Sequence, residues 1–435
     1  IVVISTRFSS SFFSFLVPSQ TMSSDGLLNT AITWDDFESD LRSALRTNAK
    51  LGPNKSILDI GDGQGFVSCC GLITCDWVGT AEGEKLPSQV VIKTPSLLPL
   101  RKLNDSLPEG KKWFVGYTEE KWQQMGVKFF NVHNTEVAAY DFLEQFEGLQ
   151  VPKKFHGEHV KDGTAQLCLS YVENSRMMNS YEKHTVEQVR QVARALGKIQ
   201  ACSLNKEPTA PELRKDFFGN MSHTWNAEAY REMFKSILAI DSSEKTKELM
   251  EKIDAILPEY HSANIACTLH EQMGFRPVIV NGDLHTGNVL IDKDTGDLAA
   301  LIDWQCTHIG VGVEDLHRIA ISALTAEDRR ASMPMLVEEM YNSMVENLDG
   351  IEPPYSLETL LTLSDILYPH CALFYISVFI AMIEEKDSKL IADEKESREK
   401  IKLEKLIGAL EDVLKLDDAN KKHIGNLKFK TEYRG

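Results

Sequence analysis

The fold of this chain is decided by one stretch of sequence, Val278-Ile-Val-Asn-Gly-Asp283-Leu-His-Thr-Gly-Asn288-Val-Leu-Ile291. A short apolar run delivers Asp283 into a loop, Asn288 closes the loop, and a second apolar run leaves it. Residues 292–297 have the composition of a turn, and residues 298–302 then lead back to Asp303. Positions at similar distances from the turn of an antiparallel hairpin lie nearly level. The pattern therefore predicts two carboxylates and an amide oxygen at one end of a hairpin.

That set of groups is the one that phosphoryl transfer requires. One carboxylate orients the attacking hydroxyl and accepts its proton, while hard oxygen ligands hold Mg²⁺ against the phosphates. The Asp-x₄-Asn spacing is that of kinase catalytic loops, and Ile302-Asp303-Trp304 stands where those enzymes carry a metal-binding Asp-Phe-Gly. An ordinary hairpin with polar loop residues is the alternative, and it leaves the register of Asp303 unexplained.

A glycine-rich stretch, Asp59-Ile-Gly61-Asp-Gly63-Gln-Gly65-Phe66, has two competing interpretations. Together with Ile57-Leu58 it looks very like the first motif of S-adenosylmethionine methyltransferases, in which a helix follows the glycines directly. The residues from 66 to 77 are rich in β-formers, which favours a strand and a hairpin flap over phosphates. We therefore predict that Gly61, Gly63 and Gly65 bind the nucleotide. The acidic side chains of Asp59 and Asp62 are unfavourable there unless they point away or a cation intervenes.

Lys93 ends the strand-like run Val90-Val-Ile92. A lysine at a strand end is usually solvated, but this one follows the glycine flap and precedes a segment, 136–146, with helical spacing of its apolar residues. That position suits the lysine that pairs the α- and β-phosphates and is held by a helix glutamate, here Glu136. About forty residues separate the two, a longer gap than typical kinases show.

The order of the elements predicts an α+β class and a bilobal protein-kinase-like fold. Strand-like signals fill residues 56–93, and a polar stretch from 95 to about 126 leads to the helix with Glu136. The β-rich N-terminal lobe is predicted at 22–173 and the mostly α-helical C-terminal lobe at 174–435. We interpret Glu173-Asn174 as the hinge between them, with Glu173 a further candidate nucleotide contact.

The second lobe carries clear helix signals. Thr185 and Gln188 form a capping box that opens a helix with an apolar stripe. The chain then reads as mostly helical to about Leu416, interrupted by one strand segment at 278–304. The apolar run 371–383 falls short of a membrane span, and we predict a buried core helix there without membrane insertion.

Charge and cysteine usage exclude several classes of protein. The 435 residues carry a net charge of −17, which argues against a nucleic-acid partner and against docking on anionic membranes. The eight cysteines fit no zinc pattern and indicate reduced thiols in a cytoplasmic protein.

The segment 1–21 is expected to be an upstream translated or vector-derived leader with Met22 as the start, the alternative being a transit peptide.

The motif Asn281-Gly-Asp283-Leu-His-Thr-Gly-Asn288, paired with Ile302-Asp303-Trp304, resembles the signature of the ecdysteroid-kinase-like and choline-kinase-like (CHK) family, relatives of the aminoglycoside phosphotransferases. Gly65-Phe-Val-Ser68 and Asn134-Thr-Glu136-Val-Ala-Ala-Tyr140 resemble its nematode branch. The likeness spans roughly residues 56–383. It implies that Asp283 is the catalytic base, that Asn288 and Asp303 are metal ligands, and that Lys93 pairs the phosphates. The implied cofactors are ATP and Mg²⁺, and the implied substrate is a small hydroxylated molecule, such as a sterol or other lipid-like alcohol.

The chain departs from the family at two points. Asn281 stands where the family usually has histidine, and only about a dozen residues separate Asp303 from Asp315, with no Ala-Pro-Glu after them. The missing activation segment argues against a protein substrate. His285 is expected to be a hydrogen-bonding scaffold residue, and Asp315 either braces the catalytic loop or serves as an acid at a helix N-terminus. A catalytically silent nucleotide-binding protein is the alternative function.

Overall fold

The structure is a computed structural model and describes residues 26–61, 67–106, 114–214, 227–260, 264–384 and 392–424. The chain divides into two compact units. Among the described residues, the first unit contains those up to Gln145 together with Pro152–Glu173. The second contains Phe146–Val151 and the residues from Asn174 onward. The short segment 146–151 thus groups with the later residues. The predicted leader, residues 1–21, lies outside the described residues.

The first unit is built on an antiparallel sheet. Its strands are β1 (Lys50–Leu51), β2 (Ser56–Asp59), β3 (Ser68–Thr74), β4 (Trp77–Val78), β5 (Gln89–Pro95), β6 (Lys154–Gly157) and β7 (Leu167–Ser170). Five of them form one sheet in the order β2-β3-β5-β7-β6, and β1 pairs with β4. All seven residues of β3 pair with β5. A strand therefore occupies 68–74, where the methyltransferase interpretation requires a helix.

In the described part of this unit the sheet is accompanied by the α-helices α1 (Trp34–Leu45), α2 (Leu98–Ser106) and α3 (Glu119–Leu143). Phe37 and Leu41 of α1 are fully buried and belong to the same apolar core as Ile73 and Val90 of the sheet. The polar stretch from 95 to about 126, to which the sequence analysis assigned no helix, contains α2 and the start of α3. The hydroxyl of Thr118 accepts from the amide of Lys121 and caps α3. This cap places the start of α3 earlier than the sequence analysis did.

The second unit is mostly helical. Its helices are α4 (Val186–Asn205), α5 (Ala227–Ile240), α6 (Glu244–Tyr260), α7 (Asn264–Met273), α8 (Val313–Ala323), α9 (Ala326–Glu346), α10 (Leu357–Glu384) and α11 (Ala392–Ile424). Its strands are β8 (Ser175–Met177), β9 (Val278–Val280), β10 (Val289–Asp292), β11 (Leu298–Leu301) and β12 (His308–Gly310). The α+β class is confirmed.

One local prediction holds in this unit and one boundary changes. Thr185 and Gln188 exchange the hydrogen bonds of a capping box at the start of α4. The strand segment predicted to end at 304 continues to Gly310, because β12 pairs antiparallel with β9.

The apolar run 371–383 lies inside α10. The stretch Leu357–Ile376 of this helix is long and apolar enough to cross a membrane by composition, but 72% of it is buried in the protein. Cys371 and Ile376 are fully buried in a cluster shared with α5, α6 and α11. The prediction of a core helix is confirmed.

Candidate active site

The hairpin of β10 and β11 has nearly the predicted register. Val289 lies opposite Leu301, and the amide of Ile302 donates to the carbonyl oxygen of Asn288 at 3.0 Å. Asn288 therefore faces Ile302, and Asp303 follows one residue further. A register shift after Leu290 accommodates the unequal arms of the hairpin. The fold thus brings Asn288 and Asp303 to the same end of the hairpin.

The loop that carries Asp283 is held by its backbone. The Asp315 carboxylate accepts hydrogen bonds from the amides of Asn281 at 2.7 Å and Gly282 at 2.9 Å. Gly282 has a φ of +83°, and a Cβ there would lie 2.3 Å from the carbonyl oxygen of Cys306, so only glycine fits. Asp315 stands in the first turn of α8 and is buried. Asp315 therefore braces the loop and also stands at the N-terminus of a helix, so both interpretations of this residue apply.

The side chain of Asn281 forms hydrogen bonds with the backbones of both Asp283 and Asp303. Its Oδ1 accepts from the amide of Asp283 at 3.1 Å, and its Nδ2 donates to the carbonyl oxygen of Asp303 at 3.1 Å. The side chain is completely buried. Asn281 therefore ties the Asp283 loop to the backbone of Asp303.

One hydrogen bond orients the side-chain oxygen of Asn288. Its Nδ2 donates to the carbonyl oxygen of Asp283 at 2.8 Å, which turns Oδ1 away from that backbone. The short 3₁₀ turn Thr286–Asn288 is capped by His285, whose Nδ1 accepts from the amide of Gly287 at 3.0 Å. Burial lowers the pKa of His285 to about 4, so the imidazole is neutral and can accept. His285 acts as the predicted scaffold residue.

Asp303 adopts an uncommon backbone conformation, with a φ of +59°. A non-glycine residue in this region costs about 1–3 kcal/mol and occurs often at functional sites. The backbone bond from Asn281 holds the conformation, and Gln305 Nε2 donates to Oδ2 of Asp303 at 3.3 Å. The strain is local to the carboxylate expected to bind metal.

The electrostatics of Asp283 suit a proton acceptor. Burial and then the Asp303 carboxylate together raise the pKa of this carboxyl to about 7, against the opposing charge of the Arg318 guanidinium. A carboxylate poised near neutral pH is a candidate general base. A divalent cation on Asp303 would reduce the repulsion between the two carboxylates.

In the first unit, Lys93 and Glu136 form a close ion pair. Lys93 Nζ lies 2.6 Å from Glu136 Oε2, and the side chains are only 10% and 2% exposed. Lys93 comes from β5 and Glu136 from α3. The long sequence gap between them contains α2 and the first four turns of α3. The predicted pairing is present despite that gap.

The other residues predicted to bind the nucleotide are Gly61, Gly63, Gly65 and Glu173. Gly61 is buried, and its amide donates to Asp59 Oδ1 at 3.0 Å, which keeps that carboxylate on its own backbone. Gly63 and Gly65 lie outside the described residues, as does Asp62. Glu173 is exposed in a turn.

Sequence reasoning missed a buried ionic network beside the loop. Glu314 Oε1 accepts from Arg318 Nη2 at 2.6 Å, and Glu314 Oε2 lies 3.2 Å from His308 Nε2. The Arg318 guanidinium lies over the Phe374 ring at 3.9 Å. Although burial raises the pKa of Glu314, the charges of Arg318 and His308 hold it well below the ordinary value. The spacing of Glu314 and Arg318 was the signal, but it looks like any surface i,i+4 pair.

A second missed residue is Lys405 of α11. Its ammonium donates to the carbonyl oxygens of Ser180 at 2.9 Å, Glu182 at 2.6 Å and Ser322 at 2.9 Å, and the residue is 1% exposed. The hydroxyl of Ser322 accepts from the amide of Thr286, in the loop that carries Asp283, at 3.1 Å. Lys405 thus supports the end of α8 that holds the loop.

Several known proteins are similar to this chain. The chain is 24% identical over 276 residues to the "Uncharacterized kinase-like protein D1044.1" of Caenorhabditis elegans, covering 62% of this chain and 72% of that protein. A putative aminoglycoside phosphotransferase from Ralstonia eutropha aligns over 87% of this chain and 98% of its own, with 11% identity and a TM-score of 0.44. A choline kinase from Cryptosporidium parvum aligns over 90% and 98%, with 10% identity and a TM-score of 0.44.

One family model covers nearly the whole chain. It matches residues 21–421 and carries the description "Uncharacterized oxidoreductase dhs-27". The match includes the Lys93–Glu136 pair, the Asp283 loop and the Asp303 hairpin. This chain belongs to that family, DUF1679.

Proposed function

We propose that the protein transfers the γ-phosphoryl group of ATP, in the presence of Mg²⁺, to a hydroxyl group of a small molecule. The observation that carries the proposal is the linked set of Asp283, Asn288 and Asp303. Asn288 donates to the backbone of Asp283, and Asn281 bonds to the backbones of both aspartates. These hydrogen bonds fix the backbones that carry the two carboxylates and the amide oxygen relative to one another, which is the kind of pre-organisation that phosphoryl transfer needs.

Each side chain has a distinct task in this mechanism. Asp283 orients the acceptor hydroxyl and takes its proton as the oxygen attacks phosphorus. Asn288 Oδ1 and the Asp303 carboxylate are oxygen donors of the kind that Mg²⁺ prefers. The ion, when bound, offsets the charge of the β- and γ-phosphates. Lys93, held by Glu136, supplies a fixed positive charge for the α- and β-phosphates.

The acceptor is proposed to be a small alcohol, a sterol or another lipid-like molecule. The support is the segment between Asp303 and Asp315, which is short and structured. It contains β12, paired to β9, and then the start of α8. A protein kinase uses a longer activation segment here to bind its peptide substrate.

An oxidoreductase is the alternative raised by the family description. Dinucleotide-binding enzymes of the Rossmann type use a parallel sheet with a helix directly after the glycine-rich turn. The sheet of the first unit is antiparallel, and a strand occupies 68–74. These features favour the kinase over both the oxidoreductase and the methyltransferase. A silent nucleotide-binding protein is distinguished by turnover alone, so labelled ATP and a metabolite extract provide the direct assay.

Ligand-dependent stability tests the cosubstrate first. Mg-ATP should raise the melting temperature of the purified protein, whereas S-adenosylmethionine and NADPH should leave it unchanged. At 100 times the dissociation constant, a ligand specific for the folded state adds about 2.7 kcal/mol of stability. Differential scanning fluorimetry measures the shift. Stabilisation by S-adenosylmethionine or NADPH but not by Mg-ATP would contradict the proposal.

Replacement of Asp303 tests the metal ligand. Asp303→Asn should weaken ATP binding at least about tenfold in Mg²⁺ and leave the weaker, metal-free binding unchanged, because the lost charge belongs to the metal site. Calorimetric titration of ATP with and without Mg²⁺ separates the two parts. Asp294→Asn is a matched control, since Asp294 is exposed in the turn of the same hairpin. Equal Mg²⁺ dependence in Asp303→Asn and the wild type would remove Asp303 from the metal site.

A further inference from the structure

A second group of metal-ligating side chains lies in the first unit, away from Lys93 and Glu136. It consists of Asp40 on α1, His156 on β6 and Glu158 just after that strand. One oxygen or nitrogen from each lies within 4.8 Å of those from the other two. The three side chains come from the helix and from the edge strand that it packs against.

The spacing within this group is not that of a hydrogen bond. His156 Nε2 lies 3.5 Å from Asp40 Oδ2. The Nε2 atom is buried and has no hydrogen-bond partner among the described residues. Two ligands bound to tetrahedral Zn²⁺ at about 2.0–2.2 Å lie about 3.3–3.6 Å apart. The pair is therefore too far apart to share a proton well and correctly spaced to share a zinc ion.

A buried residue holds the two carboxylate-bearing positions. Gln166 is only 1% exposed, and its side-chain Nε2 donates to Asp40 Oδ2 at 2.6 Å. The backbone carbonyl oxygen of Gln166 accepts from the amide of Glu158 at 3.2 Å. His133 Nε2 also bonds to the carbonyl oxygen of Glu158 at 3.0 Å. The bond to Asp40 is of the outer kind that orients the ligands of protein-bound metals, whereas the two bonds to Glu158 hold its backbone.

We propose that Asp40, His156 and Glu158 bind Zn²⁺. One imidazole and two carboxylates suit zinc, with water as the fourth ligand. The Glu158 side chain is exposed, whereas Asp40 on α1 and His156 on β6 are half-buried. The bound ion ties the N-terminal helix to the edge of the sheet. This site is independent of phosphoryl transfer.

Zinc affinity tests the site directly. Protein stripped with EDTA is titrated with ZnCl₂ against a chromophoric chelator, in millimolar Mg²⁺ to occupy the Asp303 site. We expect one zinc per chain in the wild type. His156→Ala should lower the affinity at least about tenfold, and Gln166→Leu by about 10–100-fold, the usual loss when an outer partner is removed. His159→Ala is the matched control, because His159 is exposed three residues beyond His156.

Two further readouts make the outcome unambiguous. Zn²⁺ should raise the melting temperature of the wild type and of His159→Ala but not of His156→Ala. Co²⁺ should give the visible absorption of a tetrahedral site in the same two proteins only. Equal zinc affinity in wild type and His156→Ala, or less than one zinc per wild-type chain, would overturn the site. The second result would leave His156 and Asp40 as a plain ion pair.

Discussion

Asp283→Asn should reduce turnover by about 10²–10⁴-fold, the usual contribution of a positioned general base, while Mg-ATP binding stays close to that of the wild type. The amide has nearly the shape of the carboxylate but cannot take the proton of the acceptor hydroxyl. The backbone bonds of Asp283 to Asn281 and Asn288 do not involve its carboxylate, so the loop should keep its conformation. Steady-state phosphoryl transfer to an identified acceptor, with ATP affinity measured by calorimetry, checks both halves of the expectation.

Asp294→Asn again provides the control, as it removes one carboxylate from the exposed turn of the hairpin. Its turnover should match that of the wild type. If Asp283→Asn abolished Mg²⁺-dependent ATP binding while Asp303→Asn retained it, the roles of the two aspartates would be exchanged. If neither substitution changed turnover, the catalytic base would lie elsewhere in the chain.

Lys93→Met should destabilise the protein by about 3–5 kcal/mol, the cost of leaving one charge of a buried pair without its partner. Glu136 is 1% exposed, and its carboxylate lies 2.6 Å from the Lys93 ammonium. Removing the ammonium leaves the buried Glu136 carboxylate without the positive charge of Lys93. Urea unfolding of the variant and the wild type, without nucleotide, measures the difference.

A double substitution separates stability from nucleotide binding. Lys93→Met combined with Glu136→Leu removes both charges and should recover most of the lost stability, because apolar replacements of a buried pair are often neutral. ATP affinity should stay low in both variants, since neither has the ammonium for the phosphates. Recovery of ATP affinity in the double variant would exclude Lys93 as a phosphate ligand.

The sequence predicted the parts of the site that depend on local order. The position of Asn288 beside Asp303 follows from residue counting around one turn, and the bulge after Leu290 changed the register by only one residue. The strand after the glycines follows from its β-forming composition. The Lys93–Glu136 pair also followed from element order, because a sheet lysine and a neighbouring helix glutamate meet in this fold whatever the length of the connection between them.

What could not be predicted depends on tertiary burial. Glu314 and Arg318 have the spacing of a solvated helix pair, yet both are buried. Lys405 lies in a helix rich in lysine and glutamate, a composition typical of an exposed surface. Only packing decides that these charges face the core. The early start of α3 was missed for a similar reason, since its first turns are mostly polar in sequence while Trp122 among them is buried.

The Lys405 ammonium donates to three carbonyl oxygens, and these contacts affect how mutations in this gene should be interpreted. The residues assigned to catalysis and metal binding, and Asp315 that braces the loop, all lie before codon 316, about ninety codons upstream of this lysine. A stop codon or frameshift between the two would leave each recognisable motif encoded. The product would nevertheless lose the ammonium that holds Ser322, and with it the support of Thr286 in the catalytic loop. Such alleles should be classed with losses of the active site and not with harmless shortenings of the tail.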